Sequence, residues 1–100
     1  MSERYAALLR LAYIDRCLAL HGEVQRADIT RTFWVSQAQA SADIGAFNRT
    51  HPGVMAYDKS RKRYVPARAK YRSVYCHDDP NVRRALSLLA AAGHPMGWAD

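Results

Sequence analysis

The sequence predicts one mainly helical α+β domain: three helices, a two-stranded hairpin and an extra C-terminal helix. Three observations carry that expectation. Apolar residues recur at helical spacing through the first half of the chain. Short β-prone runs around a polar turn follow His51-Pro52-Gly53. Asp79-Pro80 then opens a final apolar stripe. The 100 residues are enough for one modest core. They divide into residues 1–78, which carry the three helices and the hairpin, and residues 79–100, which carry the last helix as a dimerisation element.

The first helix runs from about Ser2 to His21. Leu8, Leu11, Ile14 and Leu18 follow at spacings of three and four, flanked by Leu9, Ala12 and Cys17, so one wide face is apolar. Gly22 occupies the place of a C-terminal cap glycine. A shorter helix spans Arg26 to Phe33, with Ala27, Ile29 or Thr30, and Phe33 as inward contacts. Trp34 and Val35 form a tight connection, and Ser36 opens the third helix. Ser36-Gln37-Ala38-Gln39 has the pattern of a capping box: the Ser36 hydroxyl accepts from the Gln39 N–H while the Gln39 side chain returns to the Ser36 N–H. Ala40, Ile44 and Phe47 form the buried stripe, and the helix ends near Asn48 to Thr50.

Beyond His51-Pro52-Gly53 the period changes. Val54-Met55-Ala56-Tyr57 and Arg63-Tyr64-Val65 read as strands joined by the turn Asp58-Lys59-Ser60-Arg61-Lys62, with Pro66 closing the second strand. In the stretch Ala67 to His77, Tyr71, Ser73 and Tyr75 alternate with Arg72, Val74 and Cys76, which suits a further strand. The last helix is capped by Asp79, carries Val82, Leu86 and Leu89, and ends at Gly93 and Pro95.

Composition excludes several classes. A hydrophobic fraction of 49%, with two Trp, two Phe and six Tyr, is incompatible with a disordered chain. No apolar run approaches the ~20 residues of a membrane helix, and the basic N-terminus lacks a signal-peptide core. The expected protein is soluble and cytoplasmic, without a membrane partner. Cys17 falls on an apolar face as a small hydrophobe, and a Cys17–Cys76 disulfide is disfavoured. The net charge of +6 favours a polyanionic partner.

Three helices followed by a hairpin is the order of a winged helix-turn-helix, with the third helix as reading helix and the hairpin as wing. A helix fits the DNA major groove, and residues near its N-terminus reach base edges. The stripe Ala40, Ile44 and Phe47 leaves Gln37, Ala38 and Ser41 outward, with Gln39 or Ala42 beside them. Glutamine can bridge adenine N6 and N7, serine can meet a base or phosphate, and alanine can touch a thymine methyl. Such a run also suits a merely solvated helix face; the wing favours DNA. Lys59, Arg61, Lys62, Arg63, Arg68, Lys70 and Arg72 place seven cations in fourteen residues, with no Asp or Glu from Lys59 through His77. The expected contacts are Arg26, Ser36, Gln37, Gln39, Ser41, Lys59, Arg61, Lys62 and Arg63, with Arg31 also near the backbone. Tyr64, Tyr71 and Tyr75 can stack on bases, but tyrosines in such a hairpin more often pack it onto its core.

The stretch from Gly22 to Tyr64 resembles the N-terminal winged helix-turn-helix of regulators that carry a WYL domain, including those governing phage-defence islands. The residues that carry the likeness are Arg26, Asp28, Phe33, Ser36, Gln39-Ala40-Ser41, Asp43, Pro52, Tyr57-Asp58 and Tyr64, in that order. The Ser36-to-Ile44 portion is also similar to the reading helix of sugar-responsive repressors of the DeoR type. The resemblance implies a dimeric, operator-binding repressor with a ligand-sensing C-terminal domain. This sequence ends at Asp100, which leaves two expectations open: an excised DNA-binding domain or a stand-alone version, with no small-molecule effector evident in the chain.

Catalysis is not expected. His21, His51, His77 and His94 are scattered, Cys76-His77 has no partner pair at zinc spacing, and no glycine-rich phosphate loop is present. Asp78-Asp79 beside His77 reads as a helix cap. No cofactor or metal is expected. The expected partner is double-stranded DNA, read as a palindromic operator by a homodimer formed through the first and last helices. The alternative is a winged-helix interaction module of a mobile element that binds and inhibits a host protein complex. RNA binding is a weaker third, since the aromatic strand motifs of common RNA modules are missing.

Overall fold

Glu3–His21 forms helix α1 because its apolar residues repeat at helical spacing; Leu9, Ala12, Tyr13, Ile14, Cys17 and Leu18 are all buried on one side. The computed structural model describes residues 3–74 together with Pro80 and Arg84. Gly22 ends α1 at φ +70°, a left-handed conformation that glycine adopts without a Cβ clash.

Arg26–Phe33 forms α2, with the bounds expected from the sequence. Of its expected inward residues, Ile29 is buried and Phe33 packs against the core, whereas Ala27 is exposed and Thr32 is buried in addition. Thr32 is tolerated in the core because its hydroxyl donates to the Tyr13 hydroxyl at 3.0 Å, which satisfies two polar groups at once. The Tyr13 ring meets Phe33 edge-on at 5.3 Å. Trp34 then takes φ 55° and turns the chain into α3, Gln37–Thr50. Ala40, Ile44 and Phe47 are buried as the stripe predicts, and Asp43 is buried beside them.

The wing consists of β1, Met55–Asp58, and β2, Arg63–Pro66, antiparallel with Tyr57 opposite Tyr64 and Met55 opposite Pro66. Between α1 and α2 the chain contributes a third, one-residue rung that sequence patterning does not signal. The Val24 N–H donates to the Tyr64 carbonyl at 2.9 Å, and the Tyr64 N–H donates to the Val24 carbonyl at 2.8 Å. Val24 is fully buried, so the wing is sewn to the helical body by backbone as well as by packing.

The further strand expected after Ala67 is absent through Val74. Alternation gives way there to a carboxylate. Asp15, inside α1 and 0% exposed, accepts from the Tyr71 hydroxyl at 2.6 Å, the Ser73 hydroxyl at 2.5 Å and the Val74 N–H at 3.0 Å. A buried carboxylate demands such donors, and residues 71–74 adopt an irregular path that supplies them. Cys17 is a buried free thiol. Cys76, Tyr75 and the stripe Val82, Leu86 and Leu89 lie outside the described residues. Of the expected last helix, Pro80 and Arg84 are described, both helical and exposed.

Candidate nucleic-acid interface

Ser36 fixes where α3 begins. Its side chain accepts from the Gln39 N–H at 3.0 Å, the first half of the expected capping box. The second half does not form. The Gln39 side-chain amide instead donates to Asp43 Oδ1 at 3.0 Å, one helical turn ahead. Asp43 attracts it because the carboxylate is buried and already engaged by Arg10 Nε on α1 at 2.7 Å. That charge-assisted bond from Nε2 turns the Gln39 side chain toward Asp43, and its amide oxygen makes no return bond to the Ser36 N–H. Gln39 is thus half-buried and directed inward by one N–H, a departure from the outward role allowed for it.

Gln37, Ala38, Ser41 and Ala42 are exposed on the same helix. Arg26, at the start of α2, donates from Nη1 to Ser41 Oγ at 3.2 Å, which brings two expected contact residues into one group. Arg31 turns back onto Asp28 at 2.8 Å, and the Asp28 carboxylate also accepts from the Gln25 N–H at 2.9 Å, securing the first turn of α2. Arg31 therefore has a local partner, while its side chain stays largely exposed.

Across from α3 stands the wing tip. Asp58 accepts from the Ser60 N–H, the Ser60 hydroxyl and the Arg61 N–H at 3.1, 2.8 and 3.1 Å. These bonds hold its carboxyl below the usual carboxylate range, with the Ser60 hydroxyl the largest influence. Lys62 takes φ 57° and donates its N–H to the Asp58 carbonyl at 2.7 Å, closing the loop. Lys59 and Lys62 are exposed. Arg61 and Arg63 are not free: both pair with Glu23, Arg61 at 3.0 Å. Arg63 is half-buried.

Between α2, α3 and the wing lies an open cleft of about 290 Å³, lined by Gln25, Arg26, Ala27, Gln37, Tyr57, Lys62 and Tyr64. Tyr57 and Tyr64 pack edge-on at 4.9 Å across the two strands. Tyr64 leans on the core while Tyr57 stays 49% exposed. Tyr71, the second tyrosine of the basic run, is spent on Asp15. The cleft lining therefore combines two aromatic rings, Tyr57 and Tyr64, with two cations, Arg26 and Lys62.

Glu23, Asp43, Arg10 and Tyr57 are the residues whose parts in this arrangement the sequence did not disclose. For Asp43 a signal existed: a lone acid inside the apolar stripe of the third helix, matched by Arg10 inside the apolar stretch of the first. Among the described residues no group of three His, Cys, Asp or Glu side chains is placed to hold a metal ion, and no helix is long and apolar enough to cross a membrane.

The family model of the BrxR transcriptional regulator winged helix-turn-helix domain matches residues 6–91. The chain is 27% identical over 101 residues to the DNA-binding transcriptional repressor CapW of Escherichia coli strain KTE188, covering 95% of this chain and 33% of that protein. It is 32% identical over 62 residues to the CapW repressor of Stenotrophomonas maltophilia, covering 62% of this chain and 21% of that protein. The chain thus spans about a third of the length of the E. coli relative, or less of the other.

Proposed function

Since the chain belongs to the family of BrxR transcriptional regulator winged helix-turn-helix domains, we propose that it binds double-stranded DNA sequence-specifically and acts as a transcriptional repressor. The observation that carries this reading is one cleft with two unlike walls. One wall is the start of α3, where Gln37 lines the cleft and Ala38 is also exposed; the other is a wing tip whose Lys62 lines the same cleft. An α-helix of this kind enters a major groove while the wing follows the phosphate backbone. The relatives, themselves described as DNA-binding transcriptional repressors, support the same reading.

The roles divide by chemistry. Gln37 and Ser41 read base edges, with Ala38 permitting close approach. Arg26, Lys59 and Lys62 neutralise phosphates. Ser36 works through its cap, which fixes the angle at which α3 is presented. The proposal extends to a two-fold homodimer on an inverted repeat, with half-sites about 34 Å apart. It is supported by the sequence stripe Val82, Leu86 and Leu89. The protein works in the cytoplasm, where its DNA is.

The test is binding to random-sequence duplex at two salt concentrations, followed by selection of enriched sites. Salt-sensitive binding and an enriched inverted repeat are the expected result. No binding at low salt overturns the reading.

A further inference from the structure

Four cations stand in the wing tip, and they do not stand alike. Lys59, Arg61 and Lys62 are exposed and Arg63 is half-buried, with Lys62 on the cleft. Arg61 and Arg63 differ from the lysines in pairing with Glu23, in the connection between α1 and α2. Arg61 Nη2 meets Glu23 Oε1 at 3.0 Å, and Arg63 Nη1 meets Glu23 Oε2, one guanidinium on each carboxylate oxygen. Arg63 Nε also donates to the Arg61 carbonyl at 3.1 Å, so this side chain is held from both ends.

This is not a chance meeting of long surface side chains. Glu23 directly precedes Val24, and Arg63 directly precedes Tyr64; Val24 and Tyr64 exchange two backbone hydrogen bonds. The ladder fixes the carboxylate beside the wing, and the bonded Asp58 turn fixes the spacing of the cations. The backbone thus brings the three groups together, and Arg63, half-buried and bonded at two points of its guanidinium, has less rotamer freedom to lose than an isolated surface cation.

We propose that Glu23 is a positioning residue of the DNA interface: it withdraws Arg61 and Arg63 from phosphate contact and leaves Lys59 and Lys62 as the wing's phosphate ligands. The inference rests on the DNA-binding reading above. Its physical basis is charge. Moving either arginine onto a phosphate leaves the Glu23 carboxylate less compensated and facing a polyanion, so the arginines stay. The wing then carries two working cations instead of four. That restrains sequence-independent affinity and leaves more of the discrimination to α3.

Counterion release makes this measurable, because each phosphate contact adds about 0.9 to the steepness of log affinity against log salt. Binding of a random-sequence duplex is followed by fluorescence anisotropy across a salt series. The proteins are wild type, Lys62→Ala, Arg61→Ala, Glu23→Gln and the Glu23→Gln/Arg61→Ala double variant, each checked for helicity by circular dichroism. The expected result is a slope flattened by about 0.9 in Lys62→Ala and unchanged in Arg61→Ala. Glu23→Gln, which keeps the side-chain shape, steepens the slope by about one contact or more; adding Arg61→Ala then takes that gain back. An Arg61→Ala slope as flat as that of Lys62→Ala overturns the proposal, and that variant does not depend on Glu23→Gln folding. A folded Glu23→Gln protein with an unchanged or flatter slope overturns it too. Wild-type protein that binds no duplex at low salt removes the DNA-binding reading itself, an outcome distinct from either.

Discussion

Arg10 on α1 and Asp43 on α3 form an ion pair at 2.7 Å, with side chains only 13% and 6% exposed. The pair joins the first helix to the candidate reading helix and, through Asp43, orients Gln39. Asp43→Ala leaves the Arg10 guanidinium buried without its counterion, so a loss of about 3–5 kcal/mol is expected in urea unfolding. Replacing both residues with apolar ones of similar volume is expected to restore most of that stability, because neither charge is then stranded. A single-variant loss below ~1 kcal/mol would show that water reaches the pair.

Base reading and backbone holding are expected to separate by mutation. Gln37→Ala should cost about 1–3 kcal/mol at the selected site and little on random duplex, relaxing preference at one base position. Competition titrations with single-base site variants check this. Equal losses on all duplexes would reassign Gln37 to the phosphate backbone.

Lys62 holds a left-handed backbone that a lysine adopts at a penalty and a glycine does not. Lys62→Gly is therefore expected to stabilise the fold by up to about 1 kcal/mol while weakening DNA binding. Thermal unfolding and duplex titration of the same variant should move in opposite directions. A fall in both would mean that the lysine side chain supports the wing structurally.

Burial pushes the Cys17 thiol from its ordinary 9.0 up to about 12, and burial likewise raises the Tyr13 hydroxyl above 10. Both folded groups hold their protons more tightly than the unfolded chain does. Stability is therefore fully present below about pH 9 and declines as pH rises from there toward 12. Urea midpoints at pH 8 and pH 10.5 should fall accordingly, and Cys17→Ala should reduce the fall. In a Cys76→Ser background, alkylation of native Cys17 at pH 8 should proceed only as fast as the fold opens.

Asp15 accepts from Tyr71, Ser73 and Val74, and so ties down a segment that forms no strand among the described residues. In an Asp15→Ala protein these donors lose their acceptor, and residues 67–74 should loosen while α2 and α3 remain. Trypsin should then cut faster after Arg68, Lys70 and Arg72, all already exposed. Unchanged cleavage kinetics would mean the segment is held by packing alone.

Most of the fold was legible because it obeys local rules. The bounds of α2, the Ser36 start of α3 and the hairpin all follow from periodicity, capping and turn chemistry over a few residues. What escaped depends on partners far along the chain. Asp15 meets Tyr71 across 56 residues, Arg10 meets Asp43 across 33, and Arg63 meets Glu23 across 40. No window of sequence contains both ends of such a contact. The strand expected after Ala67 does not form through Val74 for the same reason: alternation was real, but a distant carboxylate claimed the donors. At the wing tip, residue type located the cations, yet only geometry shows that Arg61 pairs with Glu23 while Lys62 lines the cleft.

The hydrogen-bonded pairing of Val24 with Tyr64 has an architectural consequence. Everything between those residues, namely α2, the Trp34 turn, α3 and β1, is a segment whose two ends are fastened to each other. Such a segment is a cassette: its entry and exit lie side by side, and its length can vary without shifting the chain on either side. Added residues in the Lys59–Arg61 tip lengthen the wing and leave the rung intact. An added residue at Glu23 puts the chain out of phase with Tyr64 and tilts α2 and α3 together. Exchanging this cassette therefore requires two matched backbone positions, one at each end, together with its packing on α1 through the Arg10–Asp43 pair and the Thr32–Tyr13 hydrogen bond.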